Sequence, residues 1–247
     1  WATIQAGIDA AMEGDTVLVA PGEYMENLII EKSITLASRA IFDDLSDGWV
    51  YEDDDGVWHV DNENIANTII NGFSAETPQS VILINSPPNN GCIEPVIFGF
   101  TIKDGGGTVV LVEIETPEGV EIAEQLVGGG ILINNALPEI HNNFIKDCNC
   151  PDRGCTIDSG GAVQQTSDVD FPALMHLESG NFRCEGDVDY SDNMFYNNEA
   201  SYGSTLGSDN FNGYIDLTDS YFDVYANDAE DVSDYWVDVD ENGEYDA

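Results

Sequence analysis

The chain of 247 residues is predicted to be an all-β protein in which short strands recur along the sequence and stack on one another. Two observations predict this fold class. Runs rich in β-branched residues follow one another closely in the N-terminal segment, and segments of similar sequence recur further along the chain. Each unit is too small to bury an apolar face alone, so the units must stack to build one continuous core.

The N-terminal segment is predicted to form a capping helix followed by closely spaced strands. Apolar residues recur at helical spacing within 1–15, which places them on one buried face. They are Ile4, Ile8, Ala11 and Met12. The run TVLVAPGEYMENLIIEKSITLAS then contains predicted strands at 16–19, 28–30 and 33–36, separated by Pro-Gly and Glu-Lys.

This opening, GDTVLVAPGEY followed by NLII and SITL, resembles the start of the right-handed parallel β-helix of pectin-lyase-like proteins. The resemblance implies an all-β fold over residues 1–236: a right-handed, single-stranded parallel β-helix with an N-terminal capping helix and several loop insertions. The opposite end of such a stack, near 217–247, has no obvious cap. Unpaired strand edges invite association, so we expect the chain to continue there, to self-associate or to dock a neighbouring domain.

Four segments align without gaps and are predicted to occupy one place in successive coils. They are IFGFTIKDG (97–105), IHNNFIKDC (140–148), YSDNMFYNN (190–198) and LTDSYFDVY (217–225). The alignment puts Asn143 and Asn193 at one position, with Phe100 before them and Ser220 after them, and predicts a short ladder of stacked amides. A second predicted series comprises GGGILI (128–133), GGAVQQ (160–165) and YGSTLG (202–207).

Uneven spacing between the units predicts insertions near 39–66, 108–127 and 168–186, where function is expected to reside. The first insertion holds Trp49, Tyr51 and Trp58 among carboxylates, a combination that suits carbohydrate binding. The alternative, which we favour, is an edge hairpin over WVYEDDDGVWHV whose aromatic rings pack on the wall of the stack.

The charge is strongly acidic, with 6 Lys and Arg against 48 Asp and Glu and a formal net charge of −42. Nucleic acid and anionic lipid headgroups both need Lys or Arg to neutralise phosphate, so nucleic acid is not an expected partner. No stretch is long and apolar enough for membrane insertion. An acidic surface attracts cations, divalent ones in particular.

The final residues 237–247, VDVDENGEYDA, match a calcium-binding loop. Oxygen-bearing side chains alternate around Gly243, which permits the sharp turn that such a loop needs. They are Asp238, Asp240, Asn242, Glu244 and Asp246. The stretch resembles the loops of dockerin and of thrombospondin type 3 repeats, which implies calcium as a cofactor. The carboxylate that closes such a loop would fall beyond residue 247.

The 5 cysteines are predicted to supply at least one disulfide. The candidates are Cys148, Cys150, Cys155 and Cys184, paired within the 148–155 loop or from that loop to Cys184, which leaves Cys92 as the unpaired thiol. A zinc or iron–sulfur site is the alternative, but the spacing in CNCPDRGC is not that of paired C-x-x-C ligands.

The expected function is a calcium-stabilised structural or adhesive module, secreted or at the cell surface, within a larger protein or assembly. The alternative is a polysaccharide lyase or glycoside hydrolase, because the family that the chain resembles includes lyases that use Ca²⁺ with an Arg or Lys base and hydrolases that use clustered aspartates. A polysaccharide partner fits both functions.

The enzyme alternative has one candidate cluster. Lys103 with Asp104 and Lys146 with Asp147 form two stacked pairs, although solvated ion pairs at a turn are the simpler interpretation. No catalytic motif of the family matches residue by residue, so no catalytic residue is assigned.

Overall fold

The computed structural model describes residues 1–54, 56–72, 79–87, 91–116, 119–148, 174–177, 184–198, 206–209 and 213–222. Among these residues, the helices are α1 (Ile4–Ala10), the 3-10 helix η1 (Arg39–Phe42) and α2 (Glu63–Ala66). The first strands are β1 (Thr16–Val19), β2 (Gly22–Met25), β3 (Leu28–Ile30), β4 (Thr35–Ser38), β5 (Val50–Glu52), β6 (Trp58–Val60), β7 (Thr68–Asn71), β8 (Ile82–Asn85), β9 (Val96–Phe98) and β10 (Thr101–Lys103). The others are β11 (Thr108–Thr116), β12 (Gly119–Val127), β13 (Ile131–Asn134), β14 (Glu139–His141), β15 (Phe144–Lys146), β16 (Leu174–Leu177), β17 (Val188–Asp189), β18 (Met194–Tyr196), β19 (Leu206–Asp209), β20 (Ile215–Asp216) and β21 (Tyr221–Phe222).

Most strands belong to three parallel sheets that the chain visits in a fixed cyclic order. The first sheet runs β1-β4-β9-β14-β17-β20, the second β2-β7-β10-β15-β18-β21 and the third β3-β8-β13-β16-β19. Each circuit of the chain therefore adds one strand to each sheet, beside the strand of the preceding circuit. The fold is mostly β-strand in parallel sheets with few helices, in agreement with the predicted all-β class.

The core consists of rows of apolar side chains that continue from circuit to circuit. In the first sheet, Leu36, Ile97 and Ile140 are paired in register and are 0% exposed. In the second sheet, Ile102 and Ile145 continue a fully buried row. Each such side chain contributes about 1.5–3 kcal/mol through removal of apolar surface from water, which explains why apolar residues recur at corresponding positions of the repeats.

The predicted alignment of four repeats is confirmed by the strand register. Ile97 pairs with Ile140, Lys103 pairs with Lys146, and Met194 pairs with Phe144 on one side and Tyr221 on the other. The repeats align because each inward row and each turn needs the same type of residue in every circuit.

The predicted amide ladder is also confirmed. Asn143 and Asn193 are both 0% exposed. The Oδ1 atom of Asn143 accepts a hydrogen bond from the Phe100 backbone N–H at 3.0 Å, and the Oδ1 atom of Asn193 accepts one from the Asn143 N–H at 3.0 Å. Ser220 ends the ladder, because its Oγ accepts from the Asn193 N–H at 3.1 Å. Each side chain thus satisfies a backbone donor of the preceding circuit at a buried turn.

The turn between the first and second sheets has a left-handed backbone residue in each of four circuits. The four are Gly99 (φ 81°), Asn142 (φ 55°), Asp192 (φ 58°) and Asp219 (φ 58°). Glycine, asparagine and aspartate tolerate this conformation better than other residues. The turn geometry therefore selects the residue types that precede each rung of the ladder.

The N-terminal helix α1 covers one end of the stack and satisfies exposed strand edges there. The Gln5 side-chain amide accepts from the Ile29 N–H at 2.8 Å and donates to the Ile29 carbonyl at 3.1 Å, so it replaces the missing neighbour of β3. Glu26 accepts from the first N–H groups of the helix, at Ile4 (2.9 Å) and Gln5 (3.0 Å). Lys32 donates to carbonyls at the other end of the helix. Such capping removes the edge that would otherwise recruit another strand.

Three details of the N-terminal prediction are wrong. Met12 is 72% exposed rather than buried, because α1 ends at Ala10. The strand predicted at 33–36 is displaced to Thr35–Ser38. The strand β2 was not predicted, because Pro-Gly indicates a turn; Pro21 instead stands directly before an edge strand, where a missing backbone N–H is tolerated.

The first and last members of the glycine-led series lead into β13 and β19, which both belong to the third sheet. The GGAVQQ segment (160–165) lies outside the described residues, and β16 takes the place beside β13, with Ile131 paired to Leu174 and Leu174 paired to Leu206. Leu174–Leu177, a strand of the third sheet, falls within the insertion predicted near 168–186, and residues 168–173 and 178–183 of that insertion lie outside the described residues.

The other two predicted insertions contain local structure between strands of the sheets. Within 39–66 lie η1, an antiparallel hairpin of β5 and β6, and α2. Within 108–127, β11 and β12 form an antiparallel hairpin that pairs Thr108 with Val127. The first insertion packs on the outer face of the second sheet, where Ala40, Trp49 and Ile65 join Phe144 and Met194 in a second apolar cluster.

Candidate functional site

A set of ionisable side chains lies at the end of the first sheet and in its following turn. We call it the acidic face; its members are Glu139, His141, Asp189, Asp192, Asp216 and Asp219. The strand register creates it, because Glu139 pairs with Asp189, and Asp189 pairs with Asp216. The repeated turn adds the left-handed residues Asp192 and Asp219 beside it.

His141 is the centre of the acidic face. Its Nε2 lies 3.8 Å from Glu139 Oε2, and its Nδ1 lies 3.8 Å from Asp189 Oδ1. The Ser191 hydroxyl is 3.3 Å from Nδ1. The imidazole side chain is 17% exposed, whereas the Glu139 and Asp189 side chains are 62% and 48% exposed. A protonated imidazole here would partly neutralise carboxylates of two neighbouring circuits.

The carboxylates of the acidic face differ in their protonation behaviour. Burial, and then the negative charge of Asp219, raise the pKa of Asp192, while His141 opposes part of this rise. Hydrogen bonds from the Thr218 side chain, and then from its backbone N–H, lower the pKa of Asp216. A proton is therefore held more readily at Asp192 than at Asp216.

The acidic face was not recognised in the sequence, although the signal was present. The four-repeat alignment places Asn142, Asp192 and Asp219 at one position, directly before the ladder residues. Recurrence of an acidic residue at one repeat position predicts neighbouring carboxylates on the stack.

The aromatic residues proposed for carbohydrate binding do not form one exposed platform. Trp49 is 3% exposed and belongs to the apolar cluster against the second sheet, so the carbohydrate prediction is wrong for this ring. Trp58 packs on the same cluster and lies 5.2 Å from the Tyr221 ring. The favoured alternative, an edge hairpin with aromatic rings on the wall, is confirmed for both tryptophans.

Tyr51 remains the accessible member of that set. It is 49% exposed and stacks on His59, with ring centroids 5.1 Å apart and planes inclined by 21°. The His59 Nε2 lies 2.7 Å from Asp53 Oδ2, which fixes the orientation of the imidazole. This pair offers a small aromatic surface at the hairpin, while the two tryptophans attach the hairpin to the stack.

The stacked Lys-Asp pairs lie at the end of the second sheet. Lys103 Nζ is 3.6 Å from Asp104 Oδ2, and Lys146 Nζ is 3.1 Å from Asp147 Oδ2. Lys146 also lies over the rings of Phe144 (5.3 Å) and Tyr196 (5.8 Å). Contacts of this kind hold a partly exposed lysine against the wall of the sheet and are each worth about 0.5–1 kcal/mol.

The cysteine prediction needs correction. Cys92 is not the unpaired thiol, because it forms a disulfide with Cys184, with a Cα–Cα distance of 5.6 Å. Cys148 is free and buried, and burial raises the pKa of its thiol to about 12. The prediction failed because the loops that precede β9 and β17 meet in space, whereas Cys148 follows β15 and turns into the core. Cys150 and Cys155 lie outside the described residues.

The predicted calcium loop, with Asp238, Asp240, Asn242, Glu244 and Asp246, also lies outside the described residues. In the part of the chain that is described, no group of three or more His, Cys, Asp or Glu side chains has an arrangement that could hold a metal ion. In the same part, no helix is long and apolar enough to cross a membrane.

Comparison of the chain with protein-family models, with curated proteins and with solved structures finds no match.

Proposed function

We propose that this protein is a calcium-stabilised structural or adhesive module, secreted or displayed at a cell surface, whose three sheets wrap as a right-handed parallel β-helix. The cyclic order of the sheets supports the wrapping. The right hand is supported by the general preference of crossovers between parallel strands, since a right-twisted strand packs back onto its sheet in that sense.

The Cys92–Cys184 disulfide is the observation that carries this proposal. It joins the loops before β9 and β17, which are separated in the first sheet by β14, so it connects circuits that are not neighbours. Such a bond resists separation of the circuits along the stack. Disulfides persist in secreted and surface proteins and are rare in reducing compartments, which supports the proposed location.

The calcium part of the proposal depends on residues 238–246 and on the net charge of −42. After Arg183 the chain contains no further Lys or Arg, so its C-terminal part repels itself unless cations are bound. A ligand that binds only the folded state stabilises it by about 2.7 kcal/mol at a hundredfold excess over its dissociation constant.

Thermal unfolding with chelator and high NaCl, compared with unfolding in millimolar CaCl₂, tests the calcium part. Monovalent salt screens repulsion without coordination, so the melting temperature should be higher in CaCl₂. A double substitution, Asp238→Asn with Asp240→Asn, should remove the difference. Coincident melting curves would show that the C-terminal loop does not bind calcium.

A second candidate function is a glycoside hydrolase or polysaccharide lyase, which the acidic face favours. Its support is the carboxylates of Glu139 and Asp189, each 3.8 Å from the His141 ring, together with the opposite pKa shifts of Asp192 and Asp216 on the same face. Incubation with polyuronates, followed by assays for unsaturated ends and for reducing sugars, separates the two functions. Turnover that is lost in Asp192→Asn would replace the structural proposal by the enzymatic one.

A further inference from the structure

Three outward-facing side chains meet on adjacent strands of the second sheet. They are Glu23 of β2, Asn71 of β7 and Lys103 of β10, and β7 lies between the other two strands. Lys103 pairs in register with Asn71. Its Nζ nevertheless lies 3.2 Å from Glu23 Oε1 on the far side of β7. The lysine side chain must therefore cross Asn71 to reach the carboxylate.

One carboxylate oxygen serves both neighbours. Glu23 Oε1 accepts a hydrogen bond from Asn71 Nδ2 at 2.9 Å and is also the atom nearest to Lys103 Nζ. The hydrogen bond from Asn71, and then that from Lys103, lower the pKa of Glu23, so the carboxylate is ionised at neutral pH. Asn71 is 6% exposed, so its amide is buried, whereas the Lys103 and Glu23 side chains are 26% and 47% exposed and the carboxylate is in contact with solvent.

These positions combine a nucleophile, an electrophile and a base. An amine held beside a carboxamide reacts as though at high effective concentration, which lowers the barrier to attack. The carboxylate lies within hydrogen-bond reach of both the attacking and the leaving nitrogen, as a general base and acid must.

We propose that Lys103 Nζ and Asn71 Cγ join in an intramolecular isopeptide bond, with Glu23 as the proton carrier. The Lys103 ammonium gives a proton to Glu23, and the neutral amine attacks Cγ to form the new C–N bond. Glu23 passes the proton to Nδ2, the old C–N bond breaks, and the nitrogen leaves as ammonia, which takes up the remaining proton. No oxidant or other reactant is needed, because one amide replaces another.

The bond would connect β7 to β10 covalently, between the second and third circuits. It would fasten the N-terminal side of the stack, whereas the Cys92–Cys184 disulfide fastens circuits further along. The inference does not depend on the proposed function, since it follows from these three side chains alone.

Intact-mass measurement of the reduced full chain tests the proposal. The wild-type chain should be lighter than its sequence mass by one ammonia, and trypsin should no longer cleave after Lys103. Lys103→Arg and Glu23→Gln should restore the full mass, because the first lacks the attacking amine and the second lacks the proton carrier.

Lys146→Arg is the matched control. Lys146 occupies the next position in the same row, but its strand neighbours are Lys103 and Tyr196 rather than an asparagine. This variant should retain the loss of ammonia. Full mass in the wild-type chain would overturn the proposal.

A succinimide at Asn71–Gly72 would produce the same mass loss and must be distinguished. It would persist in Lys103→Arg and would be cleaved by hydroxylamine between Asn71 and Gly72. Either result would also overturn the proposal, whereas a tryptic fragment that contains both Asn71 and Lys103 joined through their side chains would establish it.

Discussion

Truncation of one rung of the amide ladder should be among the most destabilising changes in the chain. The Asn193→Ala substitution removes the acceptor of the Asn143 backbone N–H, which binds Asn193 Oδ1 at 3.0 Å. It also removes the Nδ2 group, which donates to the carbonyls of Ile140 at 2.6 Å and Tyr190 at 2.7 Å. All of these contacts surround a side chain that is 0% exposed.

The expected magnitude follows from the groups left without partners. An unsatisfied buried donor or acceptor costs about 1–3 kcal/mol, and carbonyls lie at the lower end of that range. The Tyr190 carbonyl keeps a hydrogen bond from Ser220 Oγ at 3.1 Å, so the loss for the Asn143 N–H and the Ile140 carbonyl is about 2–4 kcal/mol. Domains of this kind are stable by only about 5–15 kcal/mol, so Asn193→Ala should remove a large part of the total.

Equilibrium unfolding in urea, followed by far-ultraviolet circular dichroism, measures this loss. The matched control is Asn134→Ala, because Asn134 also stacks on an asparagine, with Nδ2 at 2.8 Å from Asn85 Oδ1, but is only partly buried. The control should cost less than about 1 kcal/mol. Equal losses in the two variants would refute the argument that burial of the ladder sets its energy.

Two further predictions concern the disulfide and the acidic face. Replacement of both Cys92 and Cys184 by Ala should lower the free energy of unfolding by about 2–4 kcal/mol, because the bond closes a loop with a sequence separation of 92. Reductant should destabilise the wild-type chain but not this variant. Equal sensitivity of the two proteins to reductant would contradict the Cys92–Cys184 pairing. Asp192→Asn should raise the melting temperature at neutral pH, because the pKa of Asp192 is raised in the folded state and its ionisation therefore opposes folding as pH rises through that value. Asparagine already occupies the equivalent left-handed position at Asn142, so the backbone at position 192 should accept it. The gain in melting temperature should disappear below pH 3.8, the pKa of the unfolded state, where the aspartate is protonated in both states. A gain that persists there would exclude the electrostatic cause.

The register of the stack could be predicted from sequence because the repeats impose local requirements. Ile97 and Ile140 align, as do Lys103 and Lys146, since an inward row and a turn need the same residue type in each circuit. The buried rung of Asn143 and Asn193 could be predicted for the same reason. At such positions the residue type alone indicates the structural role.

Contacts between loops could not be predicted, because they depend on the course that each loop takes in three dimensions rather than on the residue types within it. Nothing local to Cys92 or Cys184 indicates that their loops meet across an intervening circuit. The packing of Trp58 on Tyr221 likewise joins the first insertion to the last described strand of the second sheet. The acidic face was predictable only in part. The recurrence of its acidic residues is visible in the sequence, but their arrangement around His141 depends on the register between β14 and β17.

The scarcity of basic residues makes the positions of the lysines informative. Lys32 donates to carbonyls of Ile8 at 3.0 Å and Ala11 at 2.9 Å, where the partial negative charge at the end of α1 needs a cation. Lys103 and Lys146 lie in one row of the second sheet, each within reach of carboxylates. The first sheet, by contrast, presents its carboxylates around a single imidazole. Lys32 thus supplies positive charge at the cap and Lys146 supplies it at the second sheet, so repulsion should be strongest along the acidic face. Since repulsion between exposed charges falls with ionic strength, salt should stabilise the stack mainly through that face.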